Sequence, residues 1–307
     1  MTRHVRILVI GREGQLARSL AEAAGEGVLL SFLGRPALDL AAPESVETAL
    51  DSLRFDVLLN AAAYTAVDRA EQEPELAFRI NRDGTAALAR AAARRSAPFV
   101  HVSTDYVFDG RKRAPYLEDD VAAPQNVYGR SKRAGEVAAL EFARTLVVRT
   151  AWVHSPFGHN FVRTMLKRAA EGAAIRVVDD QRGAPTYAPD LAAALLQAVP
   201  RILDGRSGVY HLTSRGETTW HGFARHVFHA SRRLGGPWAD ATAIASADYP
   251  TPARRPMCSV LDSSRFERDF GIGLPDWTEG AERCVARLVR SAADHAGLRL
   301  AAATGRG

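Results

Sequence analysis

The chain has 307 residues, 47% of them hydrophobic and 24% charged, which is enough to bury a substantial core in one large domain or two unequal ones. Its net charge of +5 is spread along the sequence without Lys/Arg runs interleaved with aromatics, and Cys258 and Cys284 lack the spacing of a metal cluster or a disulfide framework. No apolar run approaches the ~20 residues of a membrane span, so we expect a cytoplasmic protein with neither a nucleic-acid nor a membrane partner.

The chain begins with the pattern of a nucleotide-binding unit. A short apolar run over residues 5–10 predicts a buried parallel strand that ends at a glycine. The turn Gly11-Arg-Glu-Gly-Gln-Leu-Ala17 follows, and a helix is predicted over residues 17–24. In such a strand, turn and helix, backbone N–H groups can bind a pyrophosphate at the helix N-terminus. The spacing Gly-x-x-Gly-x-x-Ala is equally compatible with a plain βα turn.

The second predicted strand, residues 28–33, ends at Gly34-Arg35. No acidic residue stands where it would bind a ribose 2′-hydroxyl, and an arginine there can accept a 2′-phosphate. This favours NADPH as the cofactor and leaves NADH possible. The alternative is a solvated loop arginine.

Two further predicted strands end in residues that suit a ligand site. Residues 55–60 lead into Asn60-Ala-Ala-Ala, whose small side chains let a ligand approach the backbone, and residues 98–102 lead into Ser103-Thr104. Ligands of open α/β sheets bind at this carboxyl edge. Between the two strands a helix is predicted over residues 75–95. Its Asn81 is either a surface residue or a buried hydrogen-bonding residue.

The segment with the clearest chemistry is residues 126–136, which contains Tyr128-x-x-x-Lys132. Residues four apart lie on the same face of a helix. A nearby cation favours the phenolate form of tyrosine, and a tyrosine tuned in this way can exchange a proton with an oxygen atom. Taken alone, the pattern also fits an ordinary helix with a surface lysine.

The second half of the sequence starts regularly and becomes irregular. Strands are predicted over residues 145–149, 175–178 and 208–212, the last returning to the main sheet, and helices over residues 160–171 and 189–199. From Trp220 onward, helical stretches are interrupted by prolines. The alternation in the first half predicts an α/β fold, a Rossmann-like doubly wound parallel sheet with a smaller, mixed C-terminal substrate-binding domain. The expected division is residues 1–151 for the NAD(P)-binding domain, with 179–215 returning to it, 152–290 for the substrate-binding domain and 291–307 for a flexible tail.

These motifs, in this order, resemble the extended short-chain dehydrogenase/reductases. Residues 60–71, 103–110, 127–136 and 149–153 narrow the resemblance to the dTDP-4-dehydrorhamnose reductase family, as do residues 180–186 and 255–261. The resemblance covers residues 6 to about 288. It implies reduction of the 4-keto group of dTDP-4-dehydro-L-rhamnose, a dTDP-deoxysugar, with a nicotinamide cofactor.

The resemblance also implies roles for individual residues. Tyr128 would protonate the carbonyl oxygen, Lys132 would bind the nicotinamide ribose and lower the pKa of Tyr128, and Thr104 would hydrogen-bond the same oxygen. The implied cofactor-binding residues are Gly11, Gly14, Gln15, Leu16, Arg35, Asp39, Leu40, Ala62, Ala63 and Thr65, together with Tyr128 and Lys132. The implied substrate-binding residues are Val67, Thr104, Asp105, Tyr106 and Trp152.

The sequence departs from the family at a metal site. Some members dimerise through magnesium held by glutamates, but Ser19 stands at one of those positions and the loop near Pro189 lacks the other. Magnesium is therefore doubtful, no metal ligand is assigned, and we expect a monomer or weak homodimer. Three alternatives stay open: a reductase of another dTDP-4-keto-deoxysugar, a non-catalytic regulatory subunit, and a nucleotide-binding fold of another task. An intact Thr104, Tyr128 and Lys132 set disfavours the regulatory subunit.

Overall fold

The structure is a computed structural model that describes residues 4–304, and the side chains of those up to residue 292. Its strands are β1 Val5–Ile10, β2 Val28–Leu33, β3 Val57–Asn60, β4 Phe99–Thr104, β5 Thr145–Thr150, β6 Val153–His154, β7 Ile175–Val178, β8 Arg182–Gly183, β9 Thr186–Tyr187, β10 Gly208–His211, β11 Thr218–Thr219 and β12 Ala241–Ile244. Its α-helices are α1 Gln15–Ala23, α2 Val46–Leu50, α3 Val67–Ala70, α4 Pro74–Phe78, α5 Thr85–Arg94, α6 Val127–Leu140, α7 Phe161–Ala170, α8 Ala188–Leu203, α9 Trp220–Arg233, α10 Ser264–Phe270 and α11 Trp277–Thr304.

A six-stranded parallel sheet in the order β10-β5-β4-β3-β1-β2 organises the chain. Its strands form because they are short apolar runs that can be buried on both faces. The chain order reverses between β1 and β3, and ligands of such sheets bind beyond the carboxyl ends of the strands at that point. The glycine turn after β1 and the Asn60-Ala-Ala-Ala segment after β3 therefore flank the crevice. The predicted Rossmann-like parallel sheet is confirmed.

Helices cover both faces of the sheet. On one face α1 and α8 pack against β1, β3 and β5 through a cluster that includes Leu20 and Leu195. On the other face α2 and α5 pack through a cluster that includes Val46, Leu50 and Leu88. Burying each such side chain contributes about 1.5–3 kcal/mol. These two layers fix the strand ends on which the candidate site is built.

The second half adds short strand pairs and helices beside the sheet. The pairs are β6 with β9, β7 with β12 and β8 with β11. Helices α7, α9 and α11 enclose a cluster that includes Val162, Phe223, Val227 and the free cysteine Cys284. Strand β10 pairs with β5, so part of the later chain contributes to the main sheet. The division into two domains stays a prediction.

Two helices differ from their predicted extent. The helix predicted over residues 75–95 has a π-helical turn, Arg79–Gly84, between α4 and α5. Helix α8 continues past Pro200 and ends at Leu203, beyond the predicted end at residue 199. The tail expected from residue 291 begins inside α11, which runs to Thr304, and residues 305–307 lie outside the described residues. Within the described part, no helix combines the length and the apolar character needed to cross a membrane.

Candidate active site

Helix α6 presents Tyr128, and its first turn is anchored by the side chains of Asn126 and Glu71. The Asn126 carboxamide oxygen accepts the Gly129 N–H at 2.7 Å, and the Glu71 carboxylate accepts the Val127 N–H at 2.7 Å. The Asn126 amide nitrogen also donates to the Arg254 carbonyl at 2.8 Å. Capping of this kind stabilises a helix by about 1 kcal/mol and fixes where it starts. Tyr128, in the same turn, is held in place as a result.

The middle of α6 crosses the π-helical turn at close range. A Cβ atom added at Gly135 would overlap the carbonyl oxygen of Asn81, so glycine allows the two backbones to approach. Asn81 is buried, and its amide nitrogen donates to Ser131 Oγ at 2.9 Å. Its carboxamide also pairs with the N–H and the carbonyl of Tyr64 at 2.8 and 3.1 Å. Asn81 is therefore a buried hydrogen-bonding residue that joins α6 to the loop after β3.

The Tyr128 ring lies in a buried apolar cluster with Val67 and Tyr106 packed against it. Tyr106 meets it edge-on, with ring centroids 5.6 Å apart. Burial raises the pKa of Tyr128, while the Thr104 hydroxyl acts in the opposite direction. Desolvation of the phenolate outweighs the other effects, and a lowering of the Tyr128 pKa by Lys132 stays a prediction. Tyr128 is a neutral phenol and can donate its proton.

Thr104 and Asp105 end strand β4 beside this ring. The Thr104 hydroxyl donates to Asp105 Oδ1 at 3.0 Å and accepts the Tyr106 N–H at 3.2 Å. Burial raises the pKa of Asp105 to about 6, against hydrogen bonds from Ser259 and Thr104 that lower it. A carboxyl group in this range changes charge just below neutral pH.

Lys132 lies one turn after Tyr128 and is almost completely buried. Its ammonium group donates to the Val102 carbonyl at 2.7 Å and lies 3.3 Å from His101 Nε2. Burial lowers the pKa of Lys132 to about 8, while the charge of Glu136 acts to raise it. A surface lysine, the alternative that the sequence left open, is excluded.

Glu136 is the buried acid on the face of α6 that carries Lys132. It accepts two hydrogen bonds from Arg149 on β5, at 2.9 and 2.8 Å, and one from Arg133 at 2.9 Å. Burial acts to raise the pKa of Glu136, but the hydrogen bonds and charge of Arg149 hold it below its usual range. Glu136 is therefore an anion under the cation of Lys132.

Trp152 follows β5 in a left-handed backbone conformation with φ 47°. Its indole lies flat on Trp220, with ring centroids 3.5 Å apart, and covers Gly183, which has no side chain to obstruct it. Its Nε1 donates to Ser259 Oγ at 3.2 Å. A non-glycine residue in this conformation costs on the order of 1–3 kcal/mol and is typical of functional sites. Ser259 links Trp152 to Asp105 and so brings both to one pocket wall.

The residues expected to hold a pyrophosphate form an open cradle at the start of α1. Gly11 has φ 109°, a Cβ added at Gly14 would meet nothing within 4 Å, and no side chain caps the helix. The free N–H groups of this first turn suit a phosphate. The Leu16 side chain is buried in the core, so only its backbone is available. The Gln15 side chain donates to the carbonyl of Val153, in β6, at 3.2 Å, so it ties the start of α1 to that strand, and its contact with a cofactor stays a prediction.

The other predicted cofactor residues are spread along the sheet edge. Ala62 and Ala63 are half-buried after β3, whereas Thr65 and Arg35 are exposed. Leu40 is buried against Gly84, and Asp39 Oδ1 accepts the Ala41 N–H at 2.9 Å.

Several residues of the site were missed by the sequence reasoning. Arg12 lies against Gly34 next to Arg35, which makes a second basic side chain at the end of β2. Glu136 could have been found from its position four residues after Lys132, on the same helical face. His101 and Ser259 have no comparable local signal, since only the folded chain brings them to Lys132 and Trp152.

Ser19, at a position where some family members carry a magnesium-binding glutamate, has a hydrogen-bond partner within its own helix. Ser19 is buried in α1 and donates to the Gln15 carbonyl at 2.8 Å. Among the described residues, no group of three or more His, Cys, Asp and Glu side chains is arranged to hold a metal ion.

Comparison with known proteins places the chain in a family. The model of the RmlD substrate binding domain matches residues 5–290. This chain belongs to that RmlD family. A protein of Sinorhizobium fredii named dTDP-4-dehydrorhamnose reductase is 43% identical over 94% of this chain and 100% of its own length. An Escherichia coli protein of the same name is 42% identical over 94% of this chain and 100% of its own length. The predicted resemblance to this family is confirmed.

A solved structure of the RmlD family superposes closely. The dTDP-4-dehydrorhamnose reductase of Bacillus anthracis, solved in complex with NADP, has a TM-score of 0.86 and 32% identity. The superposition covers 92% of this chain and 99% of that one. The whole architecture, with its sheet and its irregular second half, is therefore shared with a nicotinamide-cofactor enzyme.

Proposed function

We propose that this chain reduces the 4-keto group of dTDP-4-dehydro-L-rhamnose to give dTDP-L-rhamnose, with NADPH as the preferred reductant. The observation that carries the proposal is the convergence of Thr104, Tyr128 and Lys132 at the carboxyl edge of the sheet. The relatives named for this reaction match nearly the full length of the chain, which supports the substrate class.

The cofactor would bind along the crevice between β1 and β3. The cradle of Gly11 and Gly14 would hold its pyrophosphate, and Ala62 and Ala63 leave room for it beside the strand end. When bound, the nicotinamide supplies the hydride that adds to the carbonyl carbon. A preference for NADPH is supported by Arg12 and Arg35, whose guanidinium groups suit a 2′-phosphate.

The protein's own contribution to the reaction would be a proton donor held beside the carbonyl oxygen. Reduction turns the carbonyl oxygen into an alkoxide, and the Tyr128 hydroxyl would give that oxygen its proton. The Thr104 hydroxyl would stabilise the developing charge by a hydrogen bond. The Lys132 cation would then stabilise the tyrosinate that remains, which matters because burial disfavours that anion.

The sugar nucleotide would contact the opposite wall of the pocket. Val67 and Tyr106 pack beside Tyr128, and Asp105 and Trp152 are joined through Ser259. An indole face and a carboxyl group are suited to a sugar ring and its hydroxyls. We assign the substrate contacts to these side chains and to Thr104.

We further propose that the enzyme needs no metal and works in the cytoplasm as a monomer or weak homodimer. The support is Ser19, whose hydroxyl is occupied within its own helix and offers no carboxylate to a magnesium ion.

The test is NADPH oxidation, followed by absorbance, with dTDP-4-dehydro-L-rhamnose as substrate. We expect turnover to dTDP-L-rhamnose, a smaller rate with NADH, and a 10²–10⁴-fold loss in Tyr128→Phe, roughly the worth of one general acid. Cofactor affinity should change little, and Tyr249→Phe, at a half-exposed tyrosine, should behave like the parent. Near-normal turnover by Tyr128→Phe would remove Tyr128 as the proton donor. Parent protein that binds NADPH without turnover would indicate another keto-sugar or a regulatory role.

A further inference from the structure

His101 is a fully buried residue of the site to which the proposed reaction assigns no role. It lies in β4 directly opposite Asn60 of β3, and its imidazole reaches Lys132 of α6. Its Nε2 is 3.3 Å from Lys132 Nζ, and its Nδ1 is 3.2 Å from the Asn60 amide nitrogen. The imidazole is thus sandwiched between a lysine and a carboxamide.

The charge of this histidine is settled by its surroundings. Burial, and then the Lys132 cation, lower the pKa of His101 well below its usual range, so the ring is neutral. A neutral imidazole has one nitrogen that donates and one that accepts. The neighbouring elements offer it no carboxylate: β3 and α5 present the uncharged Asn60 and Thr85, and Glu136 of α6 is bound by Arg149 of β5.

The Asn60 carboxamide has a defined orientation. Its oxygen accepts the Ala62 N–H at 3.1 Å, so its NH₂ group faces His101 Nδ1 and, at 3.5 Å, Thr85 Oγ1. Nδ1 must then accept, and the ring proton sits on Nε2, where it points at Lys132. An Nε2–H group pairs well with the lone pair of a neutral amine and poorly with an ammonium group, which has only donors.

A charged Lys132 requires the opposite arrangement. Nε2 must then accept, the ring proton moves to Nδ1, and Asn60 must turn its oxygen toward the ring. That turn releases the Ala62 N–H at the sheet edge. The two arrangements differ by the tautomer of one ring and the orientation of one amide, and only the first keeps the bonds of Asn60 to the Ala62 N–H and to Thr85 Oγ1.

We propose that His101 is a positioning residue that couples the charge of Lys132 to the amide orientation of Asn60, and through it to the Ala62 N–H. The inference rests on the proposed function only for its effect on catalysis, in which the Lys132 cation would stabilise the tyrosinate form of Tyr128. The coupling itself is a property of the protein without substrate or cofactor. Through this coupling, the charge of Lys132 determines whether the Ala62 N–H, at the crevice between β1 and β3, is bound by Asn60 or free for a ligand.

The sequence makes a direct test possible because it contains three lysines, Lys112, Lys132 and Lys167. Protein labelled with ¹³C at the lysine ε-carbon gives three NMR signals, and Lys132→Met identifies the one of interest. We expect this signal to titrate with a midpoint of about 8. In His101→Leu the midpoint should rise by about one pH unit, the worth of one hydrogen bond, because only the neutral amine is bound by His101 without loss of the bond between Asn60 and the Ala62 N–H.

The opposite shift would overturn the proposal. A fall in the Lys132 midpoint in His101→Leu means that His101 stabilises the ammonium more than the neutral amine, so that the Asn60–Ala62 bond does not oppose the charge, and no shift means that the ring does not affect the charge. The matched control is His154→Leu, another buried histidine that lies against Phe223 and should leave the midpoint unchanged.

A second measurement needs no variant that could fail to fold. In ¹⁵N-histidine-labelled parent protein, His101 should change from the Nε2–H to the Nδ1–H tautomer as the pH falls through the Lys132 midpoint. A single tautomer on both sides of that midpoint would refute the coupling. Because neither measurement uses turnover, failure here is distinguishable from failure of the proposed reductase activity.

Discussion

Replacing Glu136 with glutamine should destabilise the protein strongly. The Glu136 carboxylate and the Arg149 guanidinium are 0% and 2% exposed and share two hydrogen bonds of 2.9 and 2.8 Å. Glu136→Gln keeps the shape but leaves the arginine as an uncompensated buried charge. Breaking a buried pair in this way costs about 3–5 kcal/mol, out of a total stability of about 5–15 kcal/mol for a native protein.

The measurement is urea unfolding at pH 7, with the slope of the transition compared between variants. The matched control is Arg133→Ala, which removes a partner of the same carboxylate whose side chain is 36% exposed. We expect that variant to lose less than about 1 kcal/mol. The double variant Glu136→Met with Arg149→Met should recover most of the loss, since two apolar side chains leave no charge unpaired.

Glu136→Gln should also change the protonation of Lys132 in the candidate site. Because the Glu136 charge acts to raise the pKa of Lys132, Glu136→Gln should move that pKa below about 8 and reduce the cation at neutral pH. Turnover should therefore fall more at pH 8 than at pH 6. The reasoning is refuted if Glu136→Gln costs no more stability than Arg133→Ala, or if its pH–rate profile matches the parent.

The remaining predictions concern Lys132 and Gly135. The pKa of Lys132 is about 8 in the folded chain and 10.5 when unperturbed, so between these values the unfolded state binds more protons and stability rises with pH, by about 1.4 kcal/mol per unit. Unfolding at several pH values should show this rise relative to Lys132→Met, and equal slopes would contradict it. Gly135→Ala places a Cβ against the Asn81 carbonyl oxygen, so a displacement of α6 by ~1 Å should cost on the order of 10²-fold in turnover. Gly25→Ala, where nothing lies within 4 Å, is the control, and equal kcat values in the two variants would count against the close crossing.

The fold was largely predictable because its signals are local. A buried parallel strand such as Val5–Ile10 is a continuous apolar run, and the glycine turn after it marks both the end of the strand and the start of a helix. The π-helical turn Arg79–Gly84 was not predictable in this way. The helix propensities of its residues are those of an ordinary α-helix. The turn lies where the Asn81 backbone approaches Gly135, which is more than fifty residues later in the chain.

The sequence predicted which residues lie together in the candidate site, but it predicted their pKa values less well. Four-residue spacing put Tyr128 and Lys132 on one helical face, and the strand ends placed Thr104 at the same edge. Burial, which the sequence does not display, dominates the pKa of Tyr128 and raises it, whereas the effect of the Lys132 cation stays a prediction. Burial also dominates the pKa of Asp105 and raises it, and no pattern in the sequence indicates that burial.

The irregular second half is tied by side-chain bonds to the carboxyl edge of the main sheet. Gln15, which begins α1, donates to the Val153 carbonyl and accepts from Ser155 Oγ at 2.8 Å. On the far side of the crevice, Asp68 of α3 accepts from Arg255 at 2.7 Å and from the Ala253 N–H at 3.2 Å. A displacement of residues 153–155 would therefore also move Gln15, beside the glycine cradle. A displacement of residues 253–255 would move Asp68, beside Val67. Since hydride transfer requires two ligands in fixed relation, these two attachments are how the later chain would hold the pocket wall at a constant distance from the proposed cofactor crevice.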